Sequence, residues 1–253
     1  MQINRFYLDR IIFDQDGILK LPLGISRQLI HVLRCQVNDQ AVIFDGSGFE
    51  YKIKIVNVSN KICSVKFLEK IFLDRDNQIK ITVFISLIKQ NRFEVALQKC
   101  TELGVFAFVP FYSSRSIYQL DKKSSSVGDN KISRWKSIIQ EASEQCGRSD
   151  IPHFSDPISY ETACEKAQNS FSMILWENEE KIKFKSVLKN LKEVLKGNDD
   201  SINIFVGPEG GFSSDEIKLA DSKGIKSVSL GDLILRSETA AISAISNVFY
   251  ELS

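Results

Sequence analysis

The chain is short of the groups that build metal and redox centres. It has two histidines, no H-E-x-x-H segment and no pair of carboxylates spaced for metal hydrolysis. No metal is therefore expected. Its five cysteines, Cys35, Cys63, Cys100, Cys146 and Cys164, are odd in number and contain no C-x-x-C pair. A zinc site is not expected, and a reduced, cytoplasmic compartment is. Cys146 has no histidine within sequence reach, which argues against a thiolate nucleophile. Neither G-x-x-x-x-G-K-[ST] nor G-x-G-x-x-G occurs, so neither a Walker nucleotide site nor a dinucleotide fingerprint is supported. No apolar run approaches the roughly 20 residues of a membrane span. The first ten residues carry an early charge and lead into no apolar stretch, so a signal peptide is not expected. Net charge is lacking too: 33 Lys and Arg against 32 Asp and Glu leave +1. Any nucleic-acid surface has to come from local clustering of cations.

What is present is the composition of a globular protein, 43% hydrophobic and 26% charged over 253 residues. That length allows one large domain or two modest ones, with a core that needs no staples. Residues 1–72 read as a short helical piece and short strands, Gln40–Asp45, Gly48–Val58 and Lys61–Ile71, with turn signals between them. This pattern predicts a small β-barrel. From about Asp76 strands and helices alternate. Strands are expected at Ile79–Ile88, Val105–Pro110 and Phe171–Trp176, and helices at Arg92–Leu103, Lys131–Cys146 and Lys181–Lys196. Alternation of this kind predicts an α/β sheet, mostly parallel. Leu73–Asn77 reads as a linker, Asp121–Asn130 as a mobile surface loop and Lys196–Ser201 as a polar connection.

Two strand–loop–helix units close the series. Ile202–Val206 is an apolar run that stops at Gly207-Pro208, followed by Glu209, Gly210 and Gly211. Ser213-x-x-Glu216 then has capping-box spacing and starts a helix. Glycines let the backbone approach a ligand closely, and a helix start offers free N–H groups. The second unit runs from the strand Lys226–Leu230 through Gly231-Asp232 to the last helix, Ser237–Leu252. Two ligand loops at adjacent strand ends predict one crevice at the carboxyl edge of the sheet; ordinary βα turns are the alternative.

Cations gather in places. Ser26 is a candidate cap for a helix running to Arg34, which puts Arg27, His31 and Arg34 on one face at i, i+4 and i+7. That face is either a phosphate-binding ridge or a solvated surface. In the next domain Phe93, Ala96, Leu97, Cys100 and Leu103 form a core stripe, while Arg92, Lys99 and Glu102 lie opposite with Lys89 just upstream. Gly147 near a helix C′ position leaves Arg148 to pair with carbonyls or with phosphate. Ala241, Ile242, Ile245, Val248 and Phe249 make a wide apolar stripe on the last helix, expected to pack partly against a second subunit near the active loop.

Six segments match one family in order. They are Arg5-Phe6-Tyr7, His31-Val32-Leu33-Arg34, Arg92-Phe93-Glu94 with Gln98 to Val105, Glu144 to Arg148, Gly207 to Gly211, and Leu235-Arg236-x-Glu238-Thr239-Ala240. Nearly the whole chain resembles RsmE, the SPOUT-superfamily enzymes that methylate uridine N3 in small-subunit ribosomal RNA. One departure is Leu233, where members often carry arginine. The resemblance implies a PUA-like RNA-binding β-barrel over 1–72 and a SPOUT domain with a deep trefoil knot over 73–253. It also implies a homodimer, S-adenosylmethionine as methyl donor, and a uridine of 16S rRNA in the decoding region of the 30S subunit as substrate.

Carried over by motif, cofactor contacts are expected from Leu175, Trp176 and Glu177. The loop Gly207, Pro208, Glu209, Gly210 and Gly211 should add others, as should Leu230, Gly231, Ile234, Leu235 and Arg236. Arg236 is the expected stabiliser of developing uracil charge. Glu209 or Glu238 is the candidate proton acceptor, although Glu238 also suits the start of the last helix on electrostatic grounds. RNA contacts are expected from Arg5, Arg27, His31, Arg34, Lys89, Arg92, Lys99, Arg115 and Arg148. Two other readings stand beside this one: a non-catalytic RNA-binding module on the same fold, and an enzyme of a small metabolite with a phosphate-cradling loop.

Overall fold

A computed structural model describes residues 3–72, 79–118, 127–194 and 201–252. The expected linker at 73–77, most of the loop at 121–130 and all but the last residue of the connection at 196–201 lie outside them. The chain divides into two compact units. One is Met1–Arg75 with Ser143–Ile151, the other Asp76–Ala142 with Pro152–Ser253. Where one boundary near residue 72 is expected, the division is discontinuous, because a nine-residue stretch from mid-chain groups with the first unit.

The first unit holds β1 (Asn4–Tyr7), β2 (Ile18–Lys20), α1 (Leu23–Arg27), β3 (Gln40–Phe44), β4 (Phe49–Ser59) and β5 (Ile62–Phe72). They form a five-stranded sheet in the order β1-β3-β4-β5-β2. Only β1 and β3 are parallel. Alternation along β4 and β5 turns Ile53, Ile55, Cys63 and Val65 inward, where they meet Phe6, Leu29 and Ile43. Ser26 does not cap α1. The N-cap is Pro22, and Ser26 is buried, its hydroxyl donating to the Leu21 carbonyl at 3.1 Å and accepting from the Cys63 amide at 3.0 Å. Its polarity is spent joining the helix to β5. After α1 the backbone widens into a π-helical turn, Gln28–Val32. Arg34 then sits at φ +54°, in the left-handed region, with the Cys35 amide returning to the Leu29 carbonyl at 2.9 Å. This is a helix-terminating motif that usually takes glycine at the Arg34 position.

The second unit holds β6 (Lys80–Ser86), α2 (Gln90–Glu102), β7 (Ala107–Tyr112), most of α3 (Asp129–Cys146), β8 (His153–Phe154), β9 (Ile158–Ser159) and α4 (Tyr160–Ala167). It continues with β10 (Phe171–Leu175), α5 (Phe184–Val194), β11 (Ser201–Val206), α6 (Ser214–Ser222), β12 (Lys226–Val228) and α7 (Ser237–Leu252). Seven strands form a sheet in the order β12-β10-β11-β6-β7-β8, with β9 also on β7. Every pairing is parallel. The central strands β10 and β11 are buried almost end to end, as a sheet covered on both faces requires. The last helix turns most of its apolar stripe into the unit. Ala241, Ala244, Ile245 and Val248 are buried, and α7 packs on α2, α5 and β11. Ile242 and Phe249, the other two residues of the expected stripe, keep part of their surface exposed. Among the described residues no helix is long and apolar enough to cross a membrane.

Candidate active site

The two loops singled out in sequence are not on neighbouring strands. β10 lies between β11 and β12, with Leu175 paired to Val206 on one side and Val228 on the other. The crevice therefore draws on three strand ends. A cleft open to solvent lies there. It is lined by Leu175, Trp176 and Glu177 after β10, by Val206, Gly207, Pro208 and Gly211 after β11, and by Ser229 to Gly231, Leu233 to Leu235, Ser237 and Ala240 after β12. Three of the residues expected to line it do not: Glu209, Gly210 and Arg236.

Local chemistry shapes the glycine loop. Gly211 has φ +66°, and a Cβ there would lie 1.8 Å from Glu177 Oε1. A Cβ on Gly207 would lie 2.9 Å from the buried Phe212 ring. Gly207 thus needs glycine for space against the Phe212 ring, and Gly211 for its backbone conformation. The capping box forms as predicted: Ser213 Oγ accepts from the Glu216 amide at 3.2 Å, and Glu216 Oε2 accepts from the Ser213 amide at 2.8 Å. Glu216 is 7% exposed, and burial by itself would push its pKa up. Hydrogen bonds from the Ser213 and Ser114 amides and from the Ser114 hydroxyl outweigh that and hold the pKa below the usual carboxylate value.

Cations expected to meet RNA surround this loop. Arg115 Nη1 donates to the Gly210 carbonyl at 2.9 Å. Arg92 lies between two carboxylates, Nη1 3.4 Å from Glu209 Oε1 in the glycine loop and Nε 3.8 Å from Glu238 Oε1 in the first turn of α7. The Lys89 amide also donates to Glu209 Oε1, at 3.3 Å. Glu209 is thereby turned towards the start of α2. Glu238 keeps one oxygen, Oε2, buried and without a hydrogen-bond donor. Arg236 is exposed and follows Leu235 in the cleft wall. Lys99 forms an ion pair with Glu102 at 2.8 Å, one turn along the same helix.

In the first unit Arg27, His31 and Arg34 are all exposed. Arg5 and Arg148 are placed differently from the expectation of phosphate contact. Arg5 grips Glu50 through both guanidinium ends and donates to the Arg148 carbonyl at 3.1 Å. The Arg148 side chain is 7% exposed and pairs with Asp150 at 2.5 Å. Both are committed to internal partners, which the +1 overall balance could not reveal. The sequence reading also missed Ser114, whose segment gives no periodic signal and gains meaning only through Glu216, far along the chain.

Residues 75–249 match the RNA methyltransferase domain family, and residues 29–68 match the RNA methyltransferase PUA domain. The ribosomal RNA small subunit methyltransferase E of Bacillus subtilis is 33% identical over 88% of this chain and 86% of its own. The chain belongs to this family of RNA methyltransferases. The Rickettsia conorii member is 31% identical over 98% of this chain and 96% of its own. Among solved structures, the Neisseria gonorrhoeae member bound to S-adenosyl methionine superposes with a TM-score of 0.84, at 29% identity, covering 98% of both chains. A putative methyltransferase of Legionella pneumophila, also with that cofactor bound, gives 0.85 at 28% identity, covering 99% of this chain and 98% of its own.

Proposed function

We propose that this RNA methyltransferase methylates N3 of a uridine in the decoding region of 16S rRNA, within the 30S subunit, using S-adenosylmethionine. The observation that carries the reading is the cleft at the ends of β10, β11 and β12, with a glycine wall at Gly207 and Gly211 and cations around it. Its residues suit the donor: Leu175, Leu230 and Leu235 offer an apolar slot, and loop backbone offers hydrogen bonds.

S-adenosylmethionine supplies a methyl group on a sulfonium, ready for in-line displacement. The protein's share is to position the partners and to meet the charge that appears as uridine N3 loses its proton. Arg236, exposed beside the cleft, is the cation for the uracil carbonyls. Glu209 or Glu238 accepts the proton; Glu209 is held by the Lys89 amide and Arg92, and Glu238 by Arg92.

Arg27, His31 and Arg34 form the RNA-facing ridge of the first unit. Arg34 supports this, since its backbone conformation favours glycine by about 1 kcal/mol and a cation stands there instead. The enzyme acts in the cytoplasm as a homodimer, with Leu233 and Ile234, 83% and 85% exposed, as candidate apolar contacts for the second subunit. A closed barrel in the first unit and a deep trefoil knot through the loops of the second complete the reading. The test is transfer of labelled methyl from S-adenosylmethionine to 30S subunits, free 16S rRNA and uridine, with the modified base located by mass spectrometry. Label at uridine N3 is expected; label on another base or atom overturns the assignment.

A further inference from the structure

We infer that Glu177 is the charge-reading residue of the cleft, holding a sulfonium ligand more tightly than its neutral thioether counterpart. The inference rests on the cofactor reading above. Fourteen of the fifteen residues that line the cleft are neutral, and Glu177 is the sole ionisable one. The arginines nearby do not enter the lining: Arg92 is turned to Glu209 and Glu238, Arg115 to the Gly210 carbonyl, and Arg236 out to solvent. Among the described residues no cation is paired with Glu177. Its Oε1 lies over Gly211, where even a methyl group would collide with it. The carboxylate is thus set against the backbone of the glycine loop, at the wall of a cleft that otherwise offers apolar surface and peptide dipoles.

A single negative charge in such a cleft biases it towards a cation. The methyl donor and the demethylated product share the adenosine, the amino group and the carboxylate of their methionine portion. They differ by one methyl group and by one positive charge at sulfur. An interaction of Glu177 with the shared amino group cancels when the two affinities are compared. An interaction with the sulfonium does not cancel, and it vanishes once the methyl has left. The consequence for the reaction cycle is release: the product loses an attraction that the donor enjoyed. Because Glu177 is exposed, salt should weaken the preference.

Calorimetric titration of the full chain with S-adenosylmethionine and with S-adenosylhomocysteine, for wild type and Glu177→Gln, tests this directly. Glutamine keeps the shape over Gly211 and removes the charge. The ratio of donor affinity to product affinity should fall by about fivefold, the upper range for a solvent-exposed ion pair. The fall should be smaller at high salt, and Glu177→Asp should restore part of the ratio. An unchanged ratio overturns the inference, whether both affinities hold or both weaken together. A wild-type protein that binds neither ligand sinks the cofactor reading itself, and the inference with it.

Discussion

Ser114 gives Glu216 two hydrogen bonds, from its amide and from its hydroxyl, each at 2.9 Å. The segment after β7 is thereby fastened to the first turn of α6. The next residue, Arg115, reaches the Gly210 carbonyl at 2.9 Å. One buried carboxylate thus caps a helix, holds a neighbouring loop and sets the arginine that steadies the glycine turn. Glu216→Gln should cost about 1–3 kcal/mol, the range for leaving buried donors unmatched. Because the folded pKa is depressed below the reference 4.5, the stabilisation is present above that value and is lost as pH falls through the folded pKa. Urea unfolding between pH 3 and 7 should show wild type losing stability over that interval and the variant losing less. Parallel curves would show that Glu216 is not a source of acid sensitivity.

Gly211→Ala should be more damaging to cofactor binding than its size suggests. The left-handed conformation costs an alanine roughly 1–2 kcal/mol, and its Cβ would displace the Glu177 carboxylate from 1.8 Å. Titration with S-adenosylmethionine should show a loss of tenfold or more. Gly210→Val is expected to act less directly. Gly210 is outside the cleft wall, and its side chain would press on Arg115 Cβ from 3.3 Å. Equal affinity of Gly211→Ala and wild type would remove the close approach from the account of this loop.

Arg92 and Arg236 should both act on the methylation rate rather than on RNA binding. Arg236→Ala should slow single-turnover methylation by about a hundredfold, the scale of losing one charge-stabilising donor, with RNA affinity little changed. Arg92 contacts Glu209 and Glu238 at 3.4 and 3.8 Å, so Arg92→Met should also lower the rate while leaving the salt dependence of RNA binding intact. A reduced salt slope for Arg92→Met would return it to the role of phosphate ligand expected from sequence.

Arg34→Gly should move stability and RNA binding in opposite directions. Relief of the φ +54° backbone should stabilise the protein by about 1 kcal/mol. Loss of the cation should weaken binding to 30S subunits and reduce the salt slope by about one. A variant that is both more stable and equally tight in binding would make the exposed Arg27, His31 and Arg34 face an ordinary solvated one.

Much of the architecture was legible because it is written locally. Turn signals bounded β3, β4 and β5, and contiguous apolar runs marked the fully buried β10 and β11, each to within a few residues. The capping box at Ser213 and Glu216 was legible because both partners lie in one helical turn. Ser26 misled because its polarity answers Cys63, 37 residues away, and the helix run to Arg34 failed because a π turn intervenes. The placement of β10 between β11 and β12 has no sequence period, being a choice of pairing partners. Nor did composition distinguish Arg5, spent on Glu50, from Arg27, left in solvent.

The sequence by itself determined the alternation of elements, the glycine turn and its cap, and the family motifs, because each depends on neighbours a few residues apart. Tertiary structure alone decided which three strand ends share the cleft and which cations are free. It also left Glu177 as the one charge in the cleft lining. Those outcomes depend on pairings across the fold, where the energy of a contact depends on residues that the local chain does not contain.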